Sequence, residues 1–203
     1  VKDILEKADS LYETENFREA DLLYRQLLGE HRTYSPAMLL KMTRIAKVQG
    51  DFSEALYYLN LYYHSEPNSE ILTQIVELSE KHKLSGYEQD DYRYLNAFYN
   101  RYKIPVNLLI LFFFTAGLLY LYRRKMQGKN ILYRVLLFVF AAGIYFWAYN
   151  FATDYRFAIV KKPKAYLMKA PSAASEPLKT FEIGNCAEVT DENDIWWKVK
   201  IKE

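Results

Sequence analysis

The side chains best suited to acid–base, nucleophilic or metal chemistry are three histidines and one cysteine. His31, His64 and His82 lie far from Cys186 in the sequence, and none stands at a spacing typical of a hydrolase or a zinc site. The sequence has no glycine-rich phosphate loop and no nucleophile elbow. A single cysteine also excludes an intrachain disulfide. The sequence therefore predicts no catalytic residue, no metal site, no cofactor and no enzymatic activity, and the net charge of +2 does not favour nucleic acid as a partner.

An internal repeat is the first feature of the sequence that could position residues for binding a protein partner. Segment 16–20 (NFREA) matches segment 51–55 (DFSEA) at an offset of 35 residues, and apolar residues recur at helical spacing around both. Small residues at Ala20 and Ala55 allow paired helices to approach, and Gly50 permits a tight turn. We therefore expect residues 1–90 to form all-α helical repeats, with a third, degenerate unit over 70–90.

This pattern resembles the tetratricopeptide repeat, whose period is about 34 residues. Proteins of that family bind peptides or partner helices along the face formed by the first helix of each repeat. The resemblance implies that a partner-binding face is formed here by Leu5, Asp9, Tyr12, Glu13, Leu40, Arg44, Lys47 and Val48. The family's clamp for a terminal carboxylate needs Lys and Asn where Leu5 and Asp9 stand, so that ligand is not expected. The alternative is that these are ordinary solvated side chains.

Two long apolar segments, 104–122 and 131–151, contain a single charge between them, Arg134. A helix of 19 residues is roughly 28 Å long, close to the hydrocarbon thickness of a bilayer. Pro105 is expected in the first turn, where its missing N–H costs nothing, and Arg134 near the end can extend to the headgroups. We expect a transmembrane hairpin in contact with the lipid bilayer. The alternative is two buried core helices, but this chain is too small to bury them.

The connecting loop, 123–130, holds four basic residues and no acid: Arg123, Arg124, Lys125 and Lys129. The positive-inside rule places such a loop in the cytoplasm, so both termini would be periplasmic in a multi-pass protein of the bacterial inner membrane. Small clusters at 115–117 and 141–143 would let the two helices approach closely. Aromatic residues that include Trp147 and Phe151 would mark the interfaces. Residues 91–103 carry an apolar stripe typical of a helix that lies on the membrane surface or caps the repeats.

After a linker expected at 152–163, residues 164–203 alternate with period two, which predicts strands at 165–168, 187–190 and 197–201. Turns are expected at 171–172, 176–177, 184–185 and 191–194. The order resembles a bacterial SH3 domain, an all-β barrel, although the chain ends before that family's Gly-Trp return strand. Tyr166, Trp196 and Trp197 are the candidates for a recognition surface, and alternation turns at least one tryptophan inward. Cys186 is expected to be a small strand residue.

Helical repeats, an apolar hairpin with a basic loop and an SH3-like end together resemble the BatE family of the Bacteroides aerotolerance operon. That resemblance implies a membrane-anchored scaffold that works with membrane or periplasmic proteins of the same operon in envelope stress or aerotolerance. Three function classes remain open at this point. They are a scaffold for protein partners, a tethered module that binds peptidoglycan, and a signalling or transport component in which the hairpin does more than anchor.

Overall fold

The computed structural model describes residues 1–87, 91–128, 130–151 and 156–200, without the side chains of 91–93, 96, 100, 147, 148, 150 and 151. The described residues form seven helices and five strands. They divide into two compact units, one made of Val1–Arg101 with Tyr155–Glu203 and the other of Tyr102–Asp154. The predicted combination of a helical amino-terminal part, apolar helices and a small β part is confirmed at this level.

Five helices fold the amino-terminal part: α1 (Lys2–Glu13), α2 (Phe17–Gly29), α3 (Pro36–Gln49), α4 (Phe52–Ser65) and α5 (Ser69–Lys81). Each helix packs on the next one along the chain. The contact of α3 with α2 is smaller than its contact with α4. The repeated segments 16–20 and 51–55 both begin the second helix of a pair. Ala20 and Ala55 are fully buried, as their small size at a helix crossing predicts.

The helix ends follow from local chemistry. Ser35 accepts a hydrogen bond from the Met38 backbone N–H at 3.2 Å, and Asp51 accepts one from the Glu54 N–H at 3.0 Å. Gly50 ends α3 in the left-handed conformation, with φ 75°. In the first pair the matching turn residue is Glu15, which adopts φ 58° without the freedom of glycine. The side chains of Ser35 and Asp51 therefore satisfy helix N–H groups that would otherwise be unpaired.

The core of the repeats consists mainly of aliphatic side chains and tyrosines that are almost completely enclosed. Leu39, Met42, Ile45 and Leu59 have no exposed surface, and Tyr24 is equally buried. Enclosing a leucine or isoleucine side chain stabilises a fold by about 1.5–3 kcal/mol. Truncating one of them to alanine would cost about 2–5 kcal/mol, because a cavity remains.

The strands are β1 (Arg156–Ile159), β2 (Ala165–Met168), β3 (Pro177–Phe181), β4 (Cys186–Asn193) and β5 (Trp196–Lys200). They form an antiparallel sheet of order β1-β4-β5 and an antiparallel pair β2-β3. The boundaries of β2 agree with the prediction. The described part of the expected linker, 156–163, instead contains β1, because Phe157 and Ile159 alternate toward the interior and pair with β4.

Two of the expected turns also belong to strands. Pro177 begins β3, where its missing N–H is tolerated at a strand's first residue. The acidic run at 191–194 continues β4 as far as Asn193, with an irregular register between Val189 and Asp191. The chain reverses at Asp194, which adopts φ 55°. A bulge thus absorbs polar residues that composition alone assigns to a turn.

The apolar part consists of α6 (Asp91–Met126) and α7 (Leu132–Phe151). Pro105 lies inside α6 and not in a first turn, so the expected boundary at residue 104 is absent. A proline there removes the hydrogen bond that the Arg101 carbonyl would accept. The division between the two compact units falls at this same residue.

Contacts between α6 and α7 run antiparallel. The Tyr145 hydroxyl donates to Asn107 Oδ1 at 2.8 Å, and the rings of Phe114 and Phe138 meet at 5.0 Å. Near the connection, Arg134 Nη1 donates to the Tyr120 hydroxyl at 2.9 Å. These two helices therefore form the hairpin that the short connection predicts.

Small residues contribute to the hairpin on one helix. A Cβ added to Gly117 would lie 2.8 Å from Phe138, whereas one added to Gly143 would meet open space. The expectation that 115–117 allows close approach is consistent with the position of Gly117. Gly143 faces away from the contact, because in α7 the partly buried residues are Val135, Phe138, Ala142 and Tyr145, spaced along one stripe.

Among the described residues, one helix is long and apolar enough to cross a membrane. It is Arg101–Met126, with a mean hydropathy of 2.1 over its most apolar window, none of which is buried. The described apolar stretch of α7, Leu132–Phe146, is shorter. A core helix of a water-soluble domain has most of such a window buried, and this one does not. The predicted aromatic markers Trp147 and Phe151 lie outside the residues whose side chains are described.

Candidate partner-binding surfaces

The predicted face along the first helices of the repeats has a defined structure. Lys41, on α3, extends to α1, where its Nζ is 3.0 Å from Asp9 Oδ1 and 3.8 Å from Glu13 Oε1. The same ammonium lies 5.2 Å from the centre of the Tyr12 ring. Asp9 also accepts a hydrogen bond from the buried hydroxyl of Tyr24 at 2.6 Å. Asp9, Tyr12 and Glu13 are thus brought together around one lysine.

Charged residues continue this row across the next helices. The Arg44 guanidinium lies 5.9 Å from the Tyr12 ring and donates a long hydrogen bond, 3.4 Å, to the Tyr12 hydroxyl. Lys47 donates to Gln74 Oε1, on α5, at 3.3 Å. The first helices of three successive units are therefore linked along one face by exposed polar contacts. We name the row Asp9, Tyr12, Glu13, Lys41, Arg44 and Lys47 the first-helix surface.

The apolar residues predicted for this face differ in exposure. Leu40 and Val48 are 40% and 62% exposed, whereas Leu5 is partly buried against the repeat core. Lys41 was not among the predicted site residues. It lies one turn before Arg44, so the i, i+3 spacing of two cations on one helix face was the signal that could have identified it.

Ionisation on this surface is linked to the core through Tyr24. Burial, followed by the hydrogen bond to Asp9 and the nearby acidic charges, raises the pKa of Tyr24 well above its usual range. The phenol therefore remains a hydrogen-bond donor to Asp9 at every physiological pH. Asp9 is held by Tyr24 and Lys41, which leaves the more exposed Glu13, Arg44 and Lys47 as the groups free to exchange partners.

On the β part, the three aromatic candidates do not have equal exposure. Tyr166 and Trp197 are 56% and 55% exposed, whereas Trp196 is partly buried. Trp197 Nε1 donates to Glu192 Oε1 at 3.3 Å. Alternation along β5 therefore turns Trp196 inward, as expected for one of the pair, and Trp197 is the tryptophan that offers a surface to solvent.

The β part is docked on the repeats, a contact that no sequence pattern predicted. We name it the junction and define it by the loop 84–87 and the turn 184–186. The Tyr87 hydroxyl donates to the Gly184 carbonyl at 2.6 Å, and the Ser85 N–H donates to Asn185 Oδ1 at 3.1 Å. The Cys186 N–H donates to the Ser85 carbonyl at 3.0 Å. Two segments about a hundred residues apart thus exchange hydrogen bonds in both directions.

Two glycines make the junction possible. A Cβ on Gly86 would lie 1.9 Å from the Cys186 carbonyl oxygen, and one on Gly184 would lie 2.8 Å from both Leu84 and Phe52. Both residues have positive φ, 90° and 91°. Glycine is therefore required twice over, for the backbone conformation and for the close approach.

Cys186 belongs to the apolar interior of the junction. It is 3% exposed and shares a cluster with Leu56, Ile75 and Tyr87. The interpretation of this residue as a small strand side chain is consistent with that position. Its side chain is enclosed and not accessible to a solvent-borne reactant, unlike that of an exposed reactive cysteine.

Beside the junction lies a cleft of about 580 Å³, formed by α2, α4, the α2–α3 loop, the end of β1 and the segment that follows it. Glu54 is 6% exposed at its wall and pairs with Arg25 and with Lys161. Arg25 pairs in addition with Asp21 at 2.7 Å. Burial alone would raise the pKa of Glu54, but hydrogen bonds and charge from Arg25 and Lys161 lower this pKa below its usual value. No sequence prediction singled out this cleft.

The beginning of α6 offers a further aromatic face. Ala97 is buried with Ile71 and Ile75 of α5, whereas Tyr94, Leu95 and Phe98 are 53%, 61% and 46% exposed. This helix therefore packs on the repeats through Ala97, whereas the capping alternative assigned that contact to the apolar stripe. The other side keeps the exposed apolar stripe that the membrane-surface alternative requires.

The basic residues predicted to orient the hairpin lie at and after the end of α6. Arg123, Arg124 and Lys125 occupy its last turn, and Arg124 donates to the Tyr120 hydroxyl at 3.1 Å. Tyr120 therefore accepts from both Arg124 and Arg134. Lys129 lies outside the described residues.

The histidines do not assemble into a site. His82 stacks on Phe52 with ring centres 4.1 Å apart, which places it beside the junction as a packing residue. Within the described part of the chain, no group of three or more His, Cys, Asp or Glu side chains is arranged to hold a metal ion. Comparison of the chain with protein-family models, with curated proteins and with solved structures finds no match.

Proposed function

We propose that this protein is a non-enzymatic, membrane-anchored scaffold that binds protein partners through its helical repeats. The observation that carries the proposal is the apolar helix Arg101–Met126, which has no buried residue in its most apolar window, in the same chain as a well-packed unit. A helix with this surface is stable in lipid and unstable in water. The packed unit, in contrast, encloses a large apolar core and exposes most of its charges.

The membrane part is proposed to be a two-helix hairpin with a cytoplasmic loop. Antiparallel contacts between α6 and α7 support the hairpin, and Arg123, Arg124 and Lys125 beside the connection support the orientation. With this topology the hairpin lies in the inner membrane, and the repeats and the β part lie in the periplasm. Arg134 is compatible with such a span because the Tyr120 hydroxyl accepts its hydrogen bond near the helix end.

The partner-binding region is proposed to be the first-helix surface, by resemblance to tetratricopeptide repeats. Around Tyr12, cations of α3 lie opposite carboxylates of α1. This arrangement suits a partner helix or peptide of mixed charge. Docking of the SH3-like β part on the repeats would present both modules to a partner as one body. The resemblance to the BatE family suggests partners among membrane or periplasmic proteins of the same operon and a role in envelope stress or aerotolerance.

Site-specific photo-crosslinking in living cells tests this proposal. Leu40, beside the first-helix surface, and Leu22, on α2, are both exposed leucines of the repeats and form a matched pair. A benzophenone amino acid at position 40 is expected to give one discrete adduct that is absent at position 22. Arg44→Ala should weaken that adduct, because it removes a cation beside Tyr12.

Identification of the adduct completes this test. A membrane or periplasmic protein of the same operon supports the scaffold. Equal adducts from positions 40 and 22, or an adduct that Arg44→Ala does not change, would contradict binding through this surface.

Cysteine accessibility in intact cells tests the topology. Native Cys186 is buried and is expected to remain unlabelled, so it serves as the background. An impermeant maleimide should label Ala173→Cys, at an exposed turn of the β part, and should not label Gln127→Cys, beside the basic residues. The reverse pattern would place both folded parts in the cytoplasm.

Binding to peptidoglycan is the second candidate function. Exposure of Tyr166 and Trp197 favours it, since aromatic rings commonly pack on sugar faces and peptide stems. Sedimentation of the protein with purified wall material should fall when both are replaced by alanine. Unchanged sedimentation, or none in the native protein, would exclude these rings as a wall-binding surface.

A further inference from the structure

The cleft beside the junction has the size and lining of a small-ligand site. Its volume of about 580 Å³ lies within the range of roughly 300–1,000 Å³ typical of such sites. Leu28, Leu61 and Ile159 provide apolar walls, and Tyr34 and Tyr57 add aromatic ones. A lining that is mostly apolar with a few polar groups favours a ligand of the same character.

One hydroxyl that lines the cleft makes no hydrogen bond to another described residue. It belongs to Tyr58, which as a whole residue is 3% exposed. Among the described residues no fully enclosed side-chain nitrogen or oxygen lacks a partner, so this hydroxyl keeps some exposed surface and is available to a ligand or a water molecule. Burial raises the pKa of Tyr58 above its usual value, and the hydroxyl therefore keeps its proton.

The charges around the cleft leave one cation over. Arg25 and Lys161 are balanced by Glu54 and Asp21, with which they form ion pairs. Arg32, in the α2–α3 loop, also lines the cleft, and no ion pair joins it to another described residue. One uncompensated guanidinium matches a ligand with a single negative charge and not a polyanion.

We propose that this cleft binds a small apolar molecule that carries one carboxylate. The carboxylate pairs with Arg32, the apolar portion packs against Leu28, Leu61 and the tyrosine rings, and the Tyr58 hydroxyl donates to a polar atom of the ligand. Because Ile159 ends β1 and Lys161 follows it, whereas the other walls belong to the repeats, the ligand contacts both parts of this compact unit. The site would thus let a metabolite stabilise the docking of the β part. This inference does not depend on the scaffold function.

The test uses the full chain in phospholipid nanodiscs and two defined probes, N-acetylphenylalanine and N-acetylleucine, each compared with its primary amide. The δ1 methyl resonance of Ile159, assigned through Ile159→Val, reports from the cleft wall. Ile195 is 80% exposed in the β4–β5 turn and serves as the reporter outside the cleft. Both acids are expected to shift Ile159 saturably in the millimolar range, and the amides to bind about tenfold more weakly, as expected when a charged hydrogen bond is lost.

Charge-matched variants identify the residue responsible. Arg32→Gln should reduce the affinity for each acid to that for its amide, whereas Arg18→Gln, on the same repeat but outside the cleft lining, should leave the difference intact. Tyr58→Phe should weaken both acid and amide by about two- to tenfold, since a neutral hydrogen bond is lost from each. An unchanged resonance of Ile45, which has no exposed surface in the repeat core, verifies that each variant is folded.

Three results would overturn the proposal. The first is the absence of a saturable Ile159 shift with either acid up to tens of millimolar. The second is equal binding of acids and amides. The third is an equal loss of affinity from Arg18→Gln and Arg32→Gln, which would indicate only a general effect of net charge.

Discussion

The junction and the apolar hairpin both depend on a glycine at a close approach, but the two regions place their apolar side chains oppositely. At the junction, Gly86 faces a backbone carbonyl, and the surrounding Leu56, Ile75 and Tyr87 are buried. In the hairpin, Gly117 faces the Phe138 ring, and most other leucines and phenylalanines point outward. The first region encloses its apolar side chains, and the second exposes most of them.

The same contrast applies to charge. Glu54, near the junction, is 6% exposed and is held by two cations. Arg134, in the hairpin, is exposed and has a neutral tyrosine hydroxyl as its partner. A carboxylate inside a protein needs compensating charge, whereas an arginine near a helix end can extend toward the headgroups. The difference teaches that a charged side chain must be interpreted together with its exposure and its partners.

The largest expected effect concerns the junction glycine. Gly86→Ala is expected to destabilise the contact by at least about 3 kcal/mol, because its Cβ would meet the Cys186 carbonyl oxygen at 1.9 Å and the backbone is in the left-handed region. The β part should then undock. Hydrogen exchange of the Cys186 amide, which donates to Ser85, measures this directly on the full chain in nanodiscs.

Two further glycines calibrate this result. Gly50→Ala shares the positive φ but meets nothing within 4 Å, so only the conformational cost of about 1 kcal/mol remains. Gly184→Ala should lie between, because its obstacles are the side chains of Leu84 and Phe52 and not a backbone. Equal effects at positions 50 and 86 would mean that the close approach does not hold the junction.

The second prediction concerns the buried carboxylate. Glu54→Gln is expected to lower the free energy of unfolding at pH 7 by about 2–3 kcal/mol, since it leaves Arg25 without its main partner. Lys161→Gln should cost less than about 1 kcal/mol, because that ammonium is 65% exposed. Urea titration of the two variants against the native chain measures both.

The pH dependence has a definite sign. The folded pKa of Glu54 is lowered from its ordinary value of 4.5, so the ionised group stabilises the fold fully above that pH. Its contribution is lost as the pH falls through the lower, folded pKa. Glu54→Gln should therefore approach the native stability in acid, and a difference that stays constant from pH 7 downward would rule out the ion pair as its source.

Two helix pairs, one turn and one strand could be predicted from local sequence patterns. The matched segments 16–20 and 51–55 identified two helix pairs, Gly50 identified a turn, and alternation identified β2 with its observed boundaries. Period and capping act within a few residues, which is why a single sequence contains them. β1 was assigned to a linker because four residues of alternation are too few to distinguish from a loop without their partner β4.

The junction and the cleft could not be obtained in this way. Ser85 and Asn185 are 100 residues apart and Glu54 and Lys161 are 107 apart, and no periodicity connects such pairs. Gly86 and Gly184 are recognisable as turn residues, but the sequence does not indicate that one turn rests on the other. On the first-helix surface, the family resemblance named Asp9 and Arg44 but not Lys41. The contact of Lys41, on α3, with Asp9, on α1, depends on how the two helices are placed in the fold.

The smallest expected effect separates the two glycines of the hairpin. Gly117→Ala should weaken the pairing of α6 with α7 by about 1 kcal/mol, because Phe138 is a side chain and can move aside. Gly143→Ala should have no such cost, since open space surrounds that position. A fluorinated phenylalanine at position 138 reports packed and separated states by ¹⁹F resonance in nanodiscs, where the ratio of packed to separated states should fall about fivefold for Gly117→Ala alone. If Gly143→Ala produced the larger fall, α7 would contact α6 through a different face, and the antiparallel register defined by Asn107, Phe114 and Tyr120 would have to be abandoned.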